Sequence, residues 1–140
     1  MWFDDITVAK ADGTVLPHQT VVVRDTRIAY VGPDRPAQDE GERVEGSGRL
    51  LMPGLVNAHT HIPMTLLRGY GGGCDLHTWL NQWIFPTEAK LDGRAVRAGT
   101  GLALAELIAG GVTTIADMYM HTTDIAQTVL EAGISANLSC

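Results

Sequence analysis

An apolar run that ends in two histidines constrains the fold of this chain more than any other feature. Residues 51–58 are apolar or small apart from Asn57, contain the pair Pro53-Gly54, and lead directly into His59-Thr60-His61. A run without polar alternation predicts a strand that is buried on both faces, as in a parallel sheet. In such α/β folds the functional residues lie at the carboxyl ends of the strands, which is where both histidines fall.

The spacing of the two histidines predicts one half of a metal site. Side chains alternate along a strand, so His59 and His61 point to the same side and can offer two imidazoles to one ion. A catalytic zinc needs about three protein ligands and one open position for water. Zinc is expected first, and iron, nickel and manganese remain alternatives because nitrogen and oxygen ligands do not select one metal. The competing interpretation is a pair of buried histidines bonded to the backbone, since so short a motif often occurs by chance.

Two different patterns along the chain predict two domains. Residues 1–52 consist of short β-type runs and turns, including a hairpin between residues 19–24 and 27–32. Residues 33–41 are polar, contain proline and predict a loop. Residues 53–140 instead alternate between strand and helix patterns, which is typical of βα units in a parallel sheet.

The second region predicts three helices and two further strands. In chain order these are a short helix over residues 78–85 that ends at Pro86, a helix from the N-cap Asp92 to about Ala109, a strand over 112–118, a helix capped by Thr122 or Thr123 and ended by Gly133, and a strand over 134–139. The residues expected to face the core are Ala95, Ala98, Leu102, Ala105 and Ala109 of the second helix and Ile125, Val129 and Ala132 of the third.

The residues around the histidines resemble a known family. Residues 53–61, Pro-Gly-Leu-Val-Asn-Ala-His-Thr-His, are similar to the first barrel strand of the metal-dependent amidohydrolase superfamily. Further similarity is to one branch of this superfamily, which contains methylthioadenosine/S-adenosylhomocysteine deaminases and related chlorohydrolases. This similarity lies in residues 63–70, 79–80, 84–88 and 111–119. The loop over residues 71–77 departs from the pattern of that branch.

This resemblance implies an α/β fold made of the first strands and helices of a (β/α)8 TIM-type barrel. It also implies that residues 1–52 are part of a small β-sandwich domain that precedes the barrel units of residues 53–140. A complete barrel of this kind typically takes about 250 residues, so about three of its eight strands are present. The chain is therefore expected to be the N-terminal portion of a longer enzyme.

The resemblance further implies hydrolytic deamination of an adenosine-type nucleoside, methylthioadenosine or S-adenosylhomocysteine. A bound metal lowers the pKa of water from about 15.7 toward 7, which makes hydroxide available for attack on the carbon that carries the amine. The remaining ligands, one or two His and an Asp, and the proton-transferring Glu are expected on later strands. No catalytic acid or base is expected within residues 1–140, so the chain alone is expected to be inactive.

Other functions remain open at this point. Within the same superfamily they are a guanine or cytosine deaminase, a triazine chlorohydrolase and a hydantoinase. Hydantoinases usually have Asp where Asn57 stands, and this difference favours a single-metal deaminase. A hypothesis from another functional class is that the chain is a non-catalytic fragment that binds a complementary chain.

Three further residues are candidate substrate contacts. Glu88 matches the Glu that binds the ribose diol in the deaminase branch, and a carboxylate can accept hydrogen bonds from two neighbouring hydroxyls; its alternative is a solvated loop position. Trp83 can wall the pocket or simply pack on the core, and His121 can reach the pocket or cap the next helix. Asp117, inside an apolar strand, is expected to be buried, hydrogen-bonded and structural.

Composition restricts the partners. The formal net charge of −6 without a basic block argues against nucleic-acid or anionic-membrane binding, and no apolar run reaches about 18 residues, the length that indicates a membrane span. Two cysteines do not form a disulfide framework, and a secretory signal pattern is absent, so a cytoplasmic location is expected. The expected partners are a small nucleoside-like substrate and either the missing C-terminal portion or further copies of the chain.

Overall fold

The computed structural model of the chain describes residues 1–37 and 41–140. It divides into two compact units, Met1–Pro53 and Gly54–Cys140. The division falls beside the boundary after residue 52 at which the sequence pattern changes. The predicted loop over residues 33–41 includes residues 38–40, which lie outside the described residues.

The first unit is built on one five-stranded sheet. Its strands are β1 (Trp2–Ala9), β2 (Val15–Arg24), β3 (Arg27–Gly32), β4 (Arg43–Glu45) and β5 (Leu50–Leu51). The order is β3-β2-β1-β4, and β5 also pairs with β1. The predicted hairpin is confirmed, since β2 and β3 pair antiparallel with Arg24 opposite Arg27. The described residues form one sheet here, so the second sheet of a sandwich stays a prediction.

The core of the first unit follows the alternation of β1, whereas β2 buries three consecutive residues, Thr20 to Val22. Ile6, Val8 and Val21 form its buried cluster. Asp4 is also buried, and its carboxylate accepts hydrogen bonds from Arg43 Nε at 2.8 Å and Arg35 Nε at 3.1 Å. A buried carboxylate needs such partners, because an unpaired buried charge is costly.

The second unit has a mixed α/β fold. Three parallel strands, β6 (Leu55–Thr60), β7 (Val112–Met118) and β8 (Ser135–Ser139), form a sheet in the order β6-β7-β8. This arrangement agrees with the first strands of a barrel, but the sheet is not closed within the described residues. The helical segments are a 3-10 helix (Ile62–Leu67), α1 (Leu76–Thr78), a π-helix (Trp79–Ile84), α2 (Phe85–Glu88), α3 (Gly93–Ala109) and α4 (Thr122–Ala132).

The first barrel-type strand is more exposed than its sequence predicts. Burial of β6 on both faces is wrong for this chain, since Leu55 and Val56 are 48% and 66% exposed. The reason is its position: β6 lies at the edge of the described sheet and has β7 as its one neighbouring strand there. An apolar run therefore indicates that a strand suits a buried position. Whether it is buried depends on the strands and helices that pack against it.

The ends of α3 are confirmed, but its predicted core face is wrong. Asp92 caps the helix by accepting a hydrogen bond from Ala95 N at 2.8 Å, and the helix ends at Gly110. Small apolar residues occur on several sides of this helix, so the pattern does not select one face. A Cβ on Gly99 would lie 2.5 Å from Pro63 O, so the helix approaches the 3-10 helix closely there. The buried residues are Val96, Gly99, Thr100, Ala103 and Leu104.

The helix near Trp79 continues past Pro86, the residue that the sequence predicts to end it. Pro86 lies in the first turn of α2, immediately after the π-helix. Proline has no N–H to donate, and Pro86 falls where the hydrogen bonding changes from the π to the α pattern. The change from π to α hydrogen bonding at this point lets the chain stay helical from Leu76 to Glu88.

The start of α4 depends on backbone conformation rather than on a threonine cap. His121 adopts a left-handed conformation with φ of 58°, and its carbonyl accepts hydrogen bonds from Asp124 N and Ile125 N. The predicted side-chain cap at Thr122 or Thr123 is therefore wrong. Gly133 ends the helix with φ of 73°, as predicted. Ile125 and Val129 are buried as expected, whereas Ala132 is exposed.

None of the helices described in residues 1–37 and 41–140 is both long enough and apolar enough to cross a membrane.

Candidate functional site

The two histidines come together at the carboxyl end of β6. His59 lies near the end of this strand and His61 follows it directly, and their ring centroids are 5.0 Å apart with the planes at 78°. His61 Nδ1 is 2.7 Å from the carbonyl oxygen of Met118. Because a carbonyl can only accept, Nδ1 carries a proton in this contact, and Nε2 is the ring nitrogen left to bind a metal ion.

Asp117 supports the segment that carries His61. Its side chain is 4% exposed, and Oδ1 accepts a hydrogen bond from Ile62 N at 2.8 Å. The Thr60 hydroxyl lies 2.7 Å from the same oxygen and 2.9 Å from Ala116 O, so both oxygens are within hydrogen-bond distance of its single proton. The expectation that Asp117 is buried and hydrogen-bonded is confirmed. Its second oxygen, Oδ2, is buried without a partner.

The histidine pair fits a metal ion as part of a ligand set. Among the described residues, no group of three or more His, Cys, Asp or Glu side chains converges closely enough to hold an ion. A metal-binding histidine commonly donates its other ring N–H to a carbonyl or carboxylate, which orients the ring. His61 has this arrangement through Met118. Two nitrogen ligands are therefore available, and a complete site requires further ligands from elsewhere.

A largely apolar pocket adjoins His61. Its volume is about 410 Å³, and it lies between the carboxyl end of β7 and the helical segment that follows the 3-10 helix. Polar side chains on its wall include His61, Glu88 and Tyr119. Its complete lining is His61, Met64, Trp79, Leu80, Ile84, Phe85, Glu88, Met118, Tyr119, Met120 and Cys140. We refer to it as the His61–Glu88 pocket.

Glu88 is a buried carboxylate rather than a solvated loop residue. It is 7% exposed, and its Oε1 accepts a hydrogen bond from the Tyr119 hydroxyl at 2.7 Å. Burial raises the pKa of Tyr119 above 10, and the Glu88 carboxylate raises it further, because both disfavour the phenolate. The Tyr119 ring lies 6.5 Å from the His61 ring. Tyr119 thus connects the histidine end of the pocket to Glu88.

The structure does not bring the other two predicted substrate contacts to this pocket. Trp83 is 40% exposed and packs edge-to-face on Tyr70, with ring centroids 5.5 Å apart. His121 lies outside the lining, and its Nδ1 is 3.8 Å from Asp124 Oδ2. Trp79 lines the pocket instead and donates through Nε1 to Tyr70 O at 2.9 Å.

The sequence does not single out Tyr119, and it offers Trp79 only as one of two indoles that can wall the pocket. Tyr119 follows β7, so the rule that parallel sheets place function after their strands could have selected it. Trp79 belongs to the predicted apolar face of its helix, but nothing in that pattern separates it from Trp83. Both indoles were equally suited to wall a pocket.

Comparison with known proteins gives the family. A sequence model described as the amidohydrolase family matches residues 50–138. The chain is 44% identical to a 5'-deoxyadenosine deaminase of Methanosphaera stadtmanae, with 82% of this chain and 27% of the relative aligned. It is 41% identical to a 5-methylthioadenosine/S-adenosylhomocysteine deaminase of Moorella thermoacetica, with 96% of this chain and 32% of the relative aligned.

A solved structure shows the same relationship in three dimensions. An adenosine deaminase from Xanthomonas campestris with bound zinc superimposes with a TM-score of 0.82 at 35% identity, over 96% of this chain and 32% of that one. The chain thus spans about a third or less of the length of these relatives. The family match covers more than half of its own residues, and the chain belongs to the amidohydrolase family.

Proposed function

We propose that this chain is part of a metal-dependent hydrolase that deaminates an adenosine-type nucleoside, methylthioadenosine or S-adenosylhomocysteine. The observation that carries the proposal is the His61–Glu88 pocket, which places a histidine with a free Nε2 and a buried carboxylate on one apolar wall. The relatives named as deaminases of 5'-deoxyadenosine and of 5-methylthioadenosine/S-adenosylhomocysteine support this substrate class.

His59 and His61 are proposed as two ligands of one divalent metal ion. Zinc is the first choice, supported by the zinc bound to the related adenosine deaminase; iron, nickel and manganese accept the same ligands. When bound, such an ion supplies a water whose pKa is lowered toward 7. The protein contributes orientation: the Met118 carbonyl holds the His61 ring and selects the tautomer that leaves Nε2 free.

Glu88 is proposed to bind the ribose diol. Tyr119 occupies one acceptor position on Oε1, and Oε2 has no hydrogen-bond partner among the described residues. A carboxylate has about four acceptor positions, so two neighbouring hydroxyls can still bind. The apolar side chains of Trp79, Leu80 and Phe85 line the same pocket and suit a purine or the substituent at the 5' carbon.

Proton transfer is proposed to use residues outside this chain. Tyr119 is unsuited to act as a base, because burial and the Glu88 carboxylate raise its pKa and keep it protonated near pH 7. Its role is to donate a hydrogen bond to Glu88. The described residues bind and orient the substrate, and the acid that protonates the leaving ammonia comes from elsewhere in the longer protein.

Ammonia release by the zinc-loaded full-length protein tests the proposal. We expect turnover of methylthioadenosine, S-adenosylhomocysteine or 5'-deoxyadenosine, and little turnover of guanine, cytosine or a chlorinated triazine. Preference for a free base or a triazine would reject the nucleoside assignment. An inactive protein that binds a complementary chain would instead support the non-catalytic alternative.

A further inference from the structure

The backbone around His61 is held by a side chain on the neighbouring strand. Asp117 Oδ1 is hydrogen-bonded to Ile62 N and to Thr60 Oγ1, the residues that flank His61 in sequence. The next residue of β7, Met118, accepts the hydrogen bond from the His61 ring. Two consecutive residues of β7 thus contact His61 and both of its neighbours.

Regular strand pairing does not position His61 by itself. The pairing of β6 with β7 is irregular between Asn57 and Thr60, just before the histidine. His61 then precedes the 3-10 helix without any side-chain cap of its own. The first N–H groups of a helix lack intrahelical partners, and Asp117 satisfies the one on Ile62 from the adjacent strand.

We propose that Asp117 is a positioning residue that orients His61 for metal binding, by fixing Thr60 and Ile62 on either side of it. The inference rests on the proposed role of His61 as a metal ligand. One carboxylate oxygen serves both contacts, while Oδ2 stays buried without a partner. The geometric support for the proposal is therefore the pair of contacts that Oδ1 makes on either side of His61.

The proposal predicts different effects for three variants of the full-length protein. Asp117→Ala removes both contacts and should lower zinc affinity about 10- to 100-fold, the usual effect of losing an outer contact that orients a ligand. Asp117→Asn keeps an acceptor oxygen in place and should stay within about threefold of the parent. Thr60→Val removes one hydroxyl and should lower affinity about fivefold, as expected for one ordinary hydrogen bond.

Two measurements separate positioning from a purely structural role. Zinc affinity is measured by competition with a chromophoric chelator, and the protonated ring nitrogen is identified by NMR of the metal-free protein with 15N-labelled histidine. The parent should show His61 protonated on Nδ1, and Asp117→Ala should show a mixture of tautomers. Ile115→Val, a small deletion in the buried part of β7, is the matched control and should change neither result.

The outcomes distinguish this inference from the proposed function. Unchanged zinc affinity and an unchanged tautomer in folded Asp117→Ala overturn the inference. If that variant does not fold, Thr60→Val decides: an affinity equal to that of Ile115→Val overturns it, and a lower affinity supports it. His61→Ala tests the proposed function separately, because zinc binding that survives this change rejects His61 as a ligand. If His61→Ala loses zinc while Asp117→Ala and Thr60→Val bind it as the parent does, His61 remains a metal ligand and only the role of Asp117 is rejected.

Discussion

The Tyr119 hydroxyl donates a buried hydrogen bond to Glu88 Oε1 across a distance of 2.7 Å. This contact ties a carboxylate from the helical segment after β6 to the end of β7, where Met118 also holds the His61 ring. The proposed sugar contact and the proposed metal ligand therefore share β7 as their support. A change at Glu88 can be measured by activity on nucleosides, and a change at His61 can be measured by zinc binding.

Replacing Glu88 should discriminate between nucleosides and free bases. Losing a charged hydrogen-bond partner typically costs about 1.5 to 3 kcal/mol, or roughly 10- to 150-fold in kcat/KM. We expect Glu88→Ala in the full-length enzyme to show that loss on a ribosylated substrate and much less on its free base. Glu131→Ala, at an exposed carboxylate on α4, is the control. Equal losses on both substrates would reject ribose recognition by Glu88.

Tyr119 should make folding stability depend on alkaline pH. Its pKa is raised above 10 in the folded state, so the folded protein binds a proton that the unfolded chain releases first. This contribution is complete below about pH 10, the ordinary pKa of tyrosine, and is lost as the pH rises toward the folded value. The stability of the parent relative to Tyr119→Phe should therefore fall above pH 10.

Urea denaturation at pH 8 to 11 measures this effect, with Tyr70→Phe as the control at an exposed tyrosine. A difference between the parent and Tyr119→Phe that stays constant across the series would contradict a perturbed Tyr119. The difference between the parent and Tyr70→Phe should stay constant over this range, because both proteins retain Tyr119. A difference that instead changes as it does for Tyr119→Phe would show that the effect is not specific to the buried hydrogen bond.

Both histidines of the pair should be required for metal binding. A catalytic zinc has about three protein ligands, so removing one imidazole leaves a weak and incomplete site. We expect His59→Ala and His61→Ala in the full-length protein to lose bound zinc and activity together, measured by elemental analysis after gel filtration and by ammonia release. His77→Ala, at an exposed histidine of α1, should retain both. A His59→Ala protein with stoichiometric metal and normal turnover would contradict the assignment of His59 as a metal ligand.

The sequence predicts well where local rules decide the structure. The side-chain alternation of a strand brings His59 and His61 together, and Asp92 begins α3 because its side chain can accept an N–H at the first turn. Only the family resemblance points to Glu88, since no local pattern distinguishes a buried carboxylate from an exposed one. Its hydrogen-bond partner in the structure, Tyr119, is distant in sequence.

Features that depend on long-range packing could not be predicted. The π-helix changes the hydrogen-bonding period, so the direction in which Trp79 and Trp83 point cannot be read from α-helical spacing. The core face of α3 is set by the close approach of Gly99 to Pro63, while its many alanines fit several faces. In both cases a contact with another element selects among orientations that the local sequence permits equally.

The 140-residue chain alone should be inactive and should associate. Within the described residues β6 and β8 are edge strands, and the apolar side chains of Leu55 and Val56 are exposed. Unpaired strand edges and uncovered apolar faces favour association with another chain. Two histidine ligands are also fewer than the three that a catalytic zinc usually needs, so metal binding should be weak. Because the chain spans about a third or less of its relatives, the missing elements are expected in a longer protein.

Sedimentation, binding of a hydrophobic dye and an ammonia-release assay on the purified chain test this prediction, with the full-length protein as the reference. We expect oligomers, strong dye binding and no turnover from the chain, and a defined assembly with turnover from the full-length protein. Adding the separately expressed remainder should reduce dye binding, because it would pair the edges of β6 and β8 and cover Leu55 and Val56. A compact monomer that unfolds cooperatively, binds little dye and turns over substrate efficiently would show that the described residues already contain a complete catalytic site.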